Sequence, residues 1–178
     1  HALYEVVQAL QEKDTDVVYT DEDKVTMDLG EHFQPHLKPD FNLDLLRSNN
    51  YICHFFVVRK SLVEQVGGFR REFDGAQDYD FIFRCVEVAK KVAHVPEILY
   101  HWRTHRASTA DNPASKMYDF EAGERAFEAH LKRMQVNGTI SHTQDYGIYQ
   151  VQSPLKKEEK NSILIPNQDE TPSIKECH

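Results

Sequence analysis

The strongest periodic pattern in the chain predicts an amphipathic helix over residues 77–91. Phe81, Cys85, Val88 and Val92 recur at intervals of four, three and four residues. This spacing is typical of a helix that buries one face. Such a helix must pack against a second layer, so the chain has to supply a sheet or further helices.

Short apolar runs alternate with helical patterns along the rest of the chain. The segment 21–50 is polar and is interrupted by Gly30, Pro35 and Pro39, so we interpret it as a long loop. The alternation predicts an α/β fold in which a mixed, partly parallel sheet is flanked by helices. Strands are predicted at 16–20, 52–58, 92–95 and 146–151, and further helices at 2–13, 61–66 and 114–136.

Composition limits the class of protein. The chain has 178 residues and a net charge of −8, from 21 Lys and Arg against 29 Asp and Glu, which argues against nucleic-acid binding. No apolar run approaches the roughly 18 residues of a membrane span, and no signal-peptide pattern is visible. Cys53 and Cys85 lie in apolar runs, as expected of buried reduced thiols in a cytoplasmic protein.

Asp78 is the first candidate for chemistry. It stands at the predicted start of the 77–91 helix, just after a turn that contains Gly75. The positive end of a helix stabilises a negative charge by about 0.3–1 kcal/mol. In a cleft such a carboxylate can accept a proton from a hydroxyl nucleophile. The alternative is that Asp78 or Asp80 only caps the first turn.

Two further groups of residues could bind ligands. Asp21 and Asp23 follow a predicted strand, where they could hold a divalent cation or form a solvated acidic turn. His101 and His105 are four residues apart, which on a helix would resemble a zinc site, but Pro96 favours a loop. In a loop, a single imidazole and the Arg103 guanidinium could face a phosphate group, since the planar fork of Arg103 suits a diphosphate or a carboxylate.

Seven segments, taken in order, resemble family 2 glycosyltransferases of the tandem-domain branch that builds bacterial surface polysaccharides. Short pieces such as VGGF are weak signals, whereas the ordered set is specific. The matching segments are ALYEVV (2–7), VYTDEDK (18–24), KPDF (38–41), NYICH (50–54), VGGF (66–69), QDYD (77–80) and LYHWR (99–103).

The resemblance implies a GT-A fold, which is Rossmann-like, and inverting transfer of a sugar from a nucleotide-diphosphate donor to a hydroxyl group. Asp78 matches the family's catalytic base. His101, Arg103 and His105 would approach the donor diphosphate or its metal ion. The full-length enzyme would use Mg²⁺ or Mn²⁺. Its acceptor would be a glycan or a lipid-linked glycan at the inner face of the plasma membrane.

The chain departs from the family pattern in two places. The family's Asp-x-Asp metal segment directly precedes the helix that begins here near Ala2, so it is expected upstream of His1. We therefore interpret Asp21 and Asp23, together with Asp80, as acceptor-side or structural residues. Gln77 stands where many relatives carry Glu, which leaves Asp78 as the one base candidate.

The resemblance also implies a division of the chain. Residues 1–137 match the acceptor-side part of a GT-A domain, 138–161 a connecting strand and linker, and 162–178 the start of a second transferase domain. Without the donor half, the chain by itself is expected to be inactive and to bind no cofactor.

Two rival functions remain open from the sequence. One is a non-catalytic binding or assembly module, whose open sheet edges would favour self-association. The other is a metal-dependent hydrolase that uses the histidines, although no His-Glu-x-x-His or Cys-x-x-Cys motif accompanies them.

Overall fold

The computed structural model describes residues 1–104, 113–145 and 147–154, which form a mixed α/β fold. The helices are α1 (Ala2–Ala9), α2 (Leu43–Ser48), α3 (Lys60–Val66), α4 (Gln77–Val88) and α5 (Pro113–Arg133), with a short 3-10 helix at Arg71–Phe73. The strands are β1 (Thr15–Val25), β2 (His32–His36), β3 (Phe56–Val58), β4 (Lys91–Arg103), β5 (Thr139–His142) and β6 (Tyr149–Gln152).

The main sheet is built around β1. Strand β4 pairs with β1 in parallel along almost its whole length. On the other edge of β1, β3 pairs antiparallel with the first half and β2 pairs antiparallel with the second half. The sheet is thus mixed, and helices pack against it, so the predicted α/β fold with a mixed, Rossmann-like sheet flanked by helices is confirmed.

The core lies between this sheet and helices α3, α4 and α5. Val17 and Tyr19 of β1 are fully buried, and Tyr19 joins Phe83 of α4 and Phe127 of α5 in one apolar cluster. Val17 packs with Leu62 and Cys85 in a second cluster. Helix α4 does cover the sheet, but only part of the predicted apolar stripe faces inward. Cys85 is buried with Phe81 packed beside it, whereas Val88 is 40% exposed and Val92 lies in β4.

A buried polar contact joins three helices beside this core. The His130 side chain is fully buried in α5, accepts a hydrogen bond from Arg47 Nε at 3.2 Å and lies 2.7 Å from Glu87 of α4. Arg133 donates two further bonds to Glu87. Burial alone would raise the pKa of Glu87, but these hydrogen bonds outweigh it and hold the pKa below its usual range.

The prediction that residues 21–50 form a long loop is wrong. Strand β1 continues to Val25, and β2 and α2 follow within the same segment. Asp21, Glu22 and Asp23 are buried in β1, where histidine and lysine side chains contact their carboxylates. Hydrophobic periodicity does not detect a strand whose inward side chains are charged and paired.

The strand that was predicted to end at Pro96 instead continues to Arg103 as β4. The pairing with β1 shifts register between Thr20 and Asp21, whose partners are Val95 and Ile98. Pro96 lies in this bulge, where its missing N–H breaks no ladder hydrogen bond. His101 is therefore in a strand, neither in a loop nor on a helix.

Strand β3 starts at Phe56, although the apolar run begins at Ile52. Ile52 is fully buried without strand pairing, and Cys53 has a positive φ of 39°. The strand predicted over 52–58 is therefore shorter than expected. An apolar run indicates burial, and residues 52–55 lie in this run without belonging to a strand.

Strands β5 and β6 form a separate antiparallel hairpin. It packs back on the domain, since Tyr149 is buried in the main core and its hydroxyl donates to Phe120 O at 2.9 Å. Gly123 of α5 leaves the space that this tyrosine occupies. The divisions at 137 and 161 stay predictions, and residues 155–178 lie outside the part of the chain that the structure describes.

The contacts of Asp16 make the free energy of unfolding depend on pH. Its carboxylate accepts a bond from Lys90 N at 3.0 Å and one from Arg59 Nε at 2.9 Å, which joins the start of β1 to the residues just before β4 and α3. The Lys90 amide, and then Arg59, hold the pKa of Asp16 below 3.8. Because the pKa is lowered in the folded state, the stabilisation is present above about pH 4 and is lost as pH falls through the folded-state pKa.

We therefore expect Asp16→Asn to lower the free energy of unfolding more at pH 6 than at pH 2.5. Urea unfolding of the variant and of the unchanged chain at both pH values measures this. Glu64→Gln on α3, whose side chain is 67% exposed, is the control. An equal loss at the two pH values would contradict the assignment.

Among the helices of the described residues, none combines the length and apolar composition that crossing a bilayer requires.

Candidate active site

Asp78 lies in the first turn of α4, but it does not cap that helix. The N-cap residue is Ala76, and no side chain caps the turn. Asp78 Oδ2 instead accepts a hydrogen bond from Asn50 Nδ2 at 3.0 Å. Gln77 folds back so that its Oε1 accepts from Gly75 N at 2.9 Å. Asn50 thus orients the Asp78 carboxylate through one oxygen.

Two cavities meet at Asp78. The first, about 360 Å³, is called here the tyrosine cavity, and the second, about 300 Å³, the histidine cavity. Both lie beside the N-terminal end of α4. The tyrosine cavity is lined by Asp78, Asn50, Tyr79, Asp119, Phe120 and Tyr149, and the histidine cavity by Asp78, Cys53, His54, Phe69, Phe81 and Tyr100.

Asp119 brings a second carboxyl group to the tyrosine cavity. Burial raises the pKa of Asp119, and the nearby charge of Asp78 raises it further. The turn at Gly75, where φ is 96°, allows this approach, because a Cβ there would lie 2.9 Å from Asp119 Oδ1. The tyrosine cavity thus holds two carboxyl groups, and that of Asp119 binds a proton more readily than an exposed aspartate does.

Aromatic rings line the histidine cavity. The ring of His54 lies 4.9 Å from that of Tyr100, and both residues line the cavity. Burial, and next the charge of Asp78, raise the pKa of Cys53 to about 12. The thiol is therefore neutral and a poor nucleophile.

Lys38 fixes the backbone of residues 52–54, which borders the histidine cavity. Its side chain is fully buried, and Nζ donates to Ile52 O at 2.7 Å and to His54 O. Glu22 Oε1 lies 3.7 Å away. Burial lowers the pKa of the Lys38 ammonium, and the Glu22 carboxylate opposes that effect.

Replacing Lys38 by methionine is expected to lower the free energy of unfolding by about 1–3 kcal/mol, because two carbonyls and a carboxylate would lose a buried donor. Chemical denaturation measures the loss. Lys60→Met is the matched control, since that side chain is 91% exposed. Equal stabilities of the two variants would contradict this account of Lys38.

The acidic residues of β1 are each engaged by neighbouring side chains. Asp21 Oδ1 accepts from Lys38 N at 2.9 Å and lies 2.9 Å from His94 Nε2. Asp23 lies between two imidazoles, with His32 Nδ1 at 2.8 Å and His101 Nδ1 at 2.5 Å. A solvated acidic turn, one of the two readings of the sequence, is therefore wrong for these residues.

Asp80 does not join the acidic residues of β1. Its side chain is fully buried and pairs with Arg84 at 2.9 Å and with Arg70. Arg84 in turn donates to the carbonyls of Val66, Gly67 and Gly68 at 2.6–3.1 Å, and so closes the C-terminal end of α3. Asp80 thus holds α4 against the turn that precedes it.

The structure describes two of the three basic residues that the sequence grouped together, and both belong to β4. His101 contacts Asp23, and Arg103 is exposed at the end of β4, opposite Val25. His105 lies outside the described residues. The roles of all three towards a donor diphosphate stay predictions.

Comparison with known proteins finds two long relatives, and no family model matches. The chain is 40% identical over 177 residues to the "Uncharacterized protein y4gI" of Sinorhizobium fredii. The aligned region covers 94% of this chain and 19% of that protein. It is 38% identical over 170 residues to the "O-antigen biosynthesis protein RfbC" of Myxococcus xanthus. In this case the aligned region covers 95% of this chain and 13% of that protein. The chain thus spans less than a fifth of the length of either relative.

Sequence reasoning missed two residues of the site. Asn50 was placed in a loop, and nothing in its local pattern indicates its contact with Asp78. Asp119 immediately precedes Phe120, which lies on the buried face of α5, so its place at the edge of that face could have been inferred.

Proposed function

We propose that the protein containing this chain is an inverting glycosyltransferase and that Asp78 is its catalytic base. The observation that carries the proposal is the position of Asp78. Its carboxylate is oriented by Asn50, is not used as a helix cap and faces two cavities of 300–360 Å³. The ordered resemblance to family 2 glycosyltransferases assigns the same residue to the base.

In the proposed reaction, the acceptor hydroxyl attacks the anomeric carbon of the donor sugar. A bond forms between the acceptor oxygen and that carbon, and the bond from the carbon to the diphosphate oxygen breaks. The nucleoside diphosphate leaves with the electron pair. The hydroxyl proton passes to Asp78 Oδ1, because Oδ2 already accepts from Asn50. Arg103 and His105 are proposed to neutralise charge on the leaving diphosphate.

The carboxylates of β1 do not fit the Mg²⁺ or Mn²⁺ ion that this family uses. Such an ion prefers oxygen ligands and retains several waters. Asp21 is buried between Lys38 N and His94, and Asp23 lies between two imidazoles. The Asp-x-Asp segment proposed upstream of His1 would hold the ion, which would neutralise the diphosphate.

The relative from Myxococcus xanthus supports a role in polysaccharide synthesis, since it bears the name of an O-antigen biosynthesis protein. We place the acceptor among glycans or lipid-linked glycans, and the enzyme at the inner face of the plasma membrane. Residues 162–178 would open a second transferase domain.

The test is sugar transfer by the whole protein that contains this chain. The protein is incubated with nucleotide-diphosphate sugars and a lipid-linked glycan, and mass spectrometry detects an added sugar. We expect the acceptor to gain the mass of one sugar with at least one donor, while the 178-residue chain alone transfers none. Failure of the folded whole protein with every nucleotide sugar, across acceptors of both classes, would contradict the proposal.

A further inference from the structure

Two imidazoles and one carboxylate from three adjacent strands meet near the end of the main sheet. Asp23 belongs to β1, His32 to β2 and His101 to β4. Backbone pairing places His101 opposite Asp23, and His32 opposite Val25. The register of the sheet therefore brings these three side chains together from distant positions in the sequence.

The ligand atoms of this group converge on one small volume. The two Nδ1 atoms approach different oxygens of Asp23, at 2.8 Å for His32 and 2.5 Å for His101, and all three groups offer atoms within 4.8 Å of one another. The two rings meet edge to face with centroids 4.7 Å apart. Each imidazole side chain is 48% exposed, so an ion has a path from solvent.

This donor set suits zinc. Zn²⁺ binds histidine nitrogen and carboxylate oxygen at about 2.0–2.2 Å, and three protein ligands leave a fourth position for water. Neighbouring ligands of such a tetrahedral ion lie roughly 3.3 Å apart, by the same bond lengths. The two contacts of Asp23, at 2.8 and 2.5 Å, would lengthen towards that spacing as an ion enters. The neutral rings would carry their proton on Nε2, which faces away from the ion.

The group lies on the other face of the sheet from the rings of the histidine cavity. Tyr100 and Trp102 flank His101 in β4, and both rings lie against His54. Successive residues of a strand point to opposite faces, so His101 points away from them. The group is thus separate from Asp78.

We propose that Asp23, His32 and His101 form a zinc site that fastens β2 and β4 to β1. One ion would replace the two hydrogen bonds of Asp23 and join three strands. The site stands independently of the proposed transferase activity. It uses none of the residues assigned to the proposed reaction, and it gives His101 a different role from the one that the resemblance implies.

The test titrates Zn²⁺ into the metal-free chain and measures heat of binding and bound metal. We expect one ion per chain. Removing a residue that only hydrogen-bonds to a metal ligand weakens metal binding by about 10–100-fold. His32 and Asp23 would bind the ion directly, so His32→Ala and Asp23→Asn should each weaken binding by at least about 100-fold. The matched control is His36→Ala, since His36 lies on the same strand but pairs with Glu22 at 3.3 Å.

Co²⁺ substitution and thermal unfolding give a second readout. A tetrahedral cobalt spectrum and a rise in the unfolding temperature with metal, both absent from His32→Ala and kept in His36→Ala, would support the site. Circular dichroism verifies that each variant is folded. Absence of stoichiometric binding by the folded chain, or binding of equal strength in His32→Ala, would overturn the proposal.

Discussion

Asp78→Asn is expected to reduce sugar transfer by the whole protein about 100-fold or more, the usual scale of general-base catalysis. The amide keeps the size of the carboxylate and can still accept a hydrogen bond from Asn50. It cannot accept the proton of an attacking hydroxyl. The initial rate of transfer, measured with saturating donor and acceptor, should fall while substrate binding changes little.

The matched control for this variant is Gln77→Glu, one residue earlier in α4. Gln77 uses Oε1 to accept from Gly75 N, and a carboxylate can accept the same bond. We expect transfer within a few-fold of the unchanged protein. Because Asp78 does not cap α4, Asp78→Asn should also unfold at nearly the same temperature. A near-normal rate for Asp78→Asn would remove this residue from the mechanism.

Asp80→Asn, two residues further on, is expected to act on stability. The substitution would leave Arg84, whose side chain is 7% exposed, without its carboxylate, and Arg70 without its closest one. Breaking a buried ion pair by removing one partner costs about 3–5 kcal/mol. Urea unfolding should show a loss of that size. The turn at Gly67 and Gly68 should exchange its amide protons faster, because Arg84 holds the carbonyls of that turn.

Glu72→Gln separates this effect from a general loss of negative charge. Glu72 lies 3.9 Å from the same Arg70 but is 63% exposed. Exposed ion pairs contribute about 0–1 kcal/mol, so this variant should be nearly as stable as the unchanged chain. If both variants lost the same small amount of stability, Asp80 would not have the structural role assigned to it here.

The contrast between Asp78 and Asp80 shows what the sequence could predict. The apolar period that begins at Phe81 predicts α4 and places both aspartates in its first turn. The local sequence pattern does not distinguish Asp78 from Asp80, since both are acidic residues at the start of a helix. Only tertiary partners separate them, namely Asn50 for Asp78 and two arginines for Asp80. The resemblance singled out Asp78, and its role as the base stays a prediction.

The second half of β1 could not be predicted for a related reason. Its side chains Asp21, Glu22 and Asp23 resemble a solvated turn until their partners are known. Those partners include His94 and His101, which are more than 70 positions away in the chain. Contacts between residues so far apart in the chain produce no periodic pattern in the sequence. The full length of β4 and the group around Asp23 therefore could not be predicted from the sequence.

The most direct test of the central assignment is the anomeric configuration of the first product. Proton NMR compares the coupling constant of the anomeric proton in the donor sugar with that in the newly transferred sugar. One carboxylate that activates the acceptor for in-line attack predicts inversion, with loss of transfer in Asp78→Asn. Retention of configuration would contradict the assignment of Asp78 as the base of a single displacement.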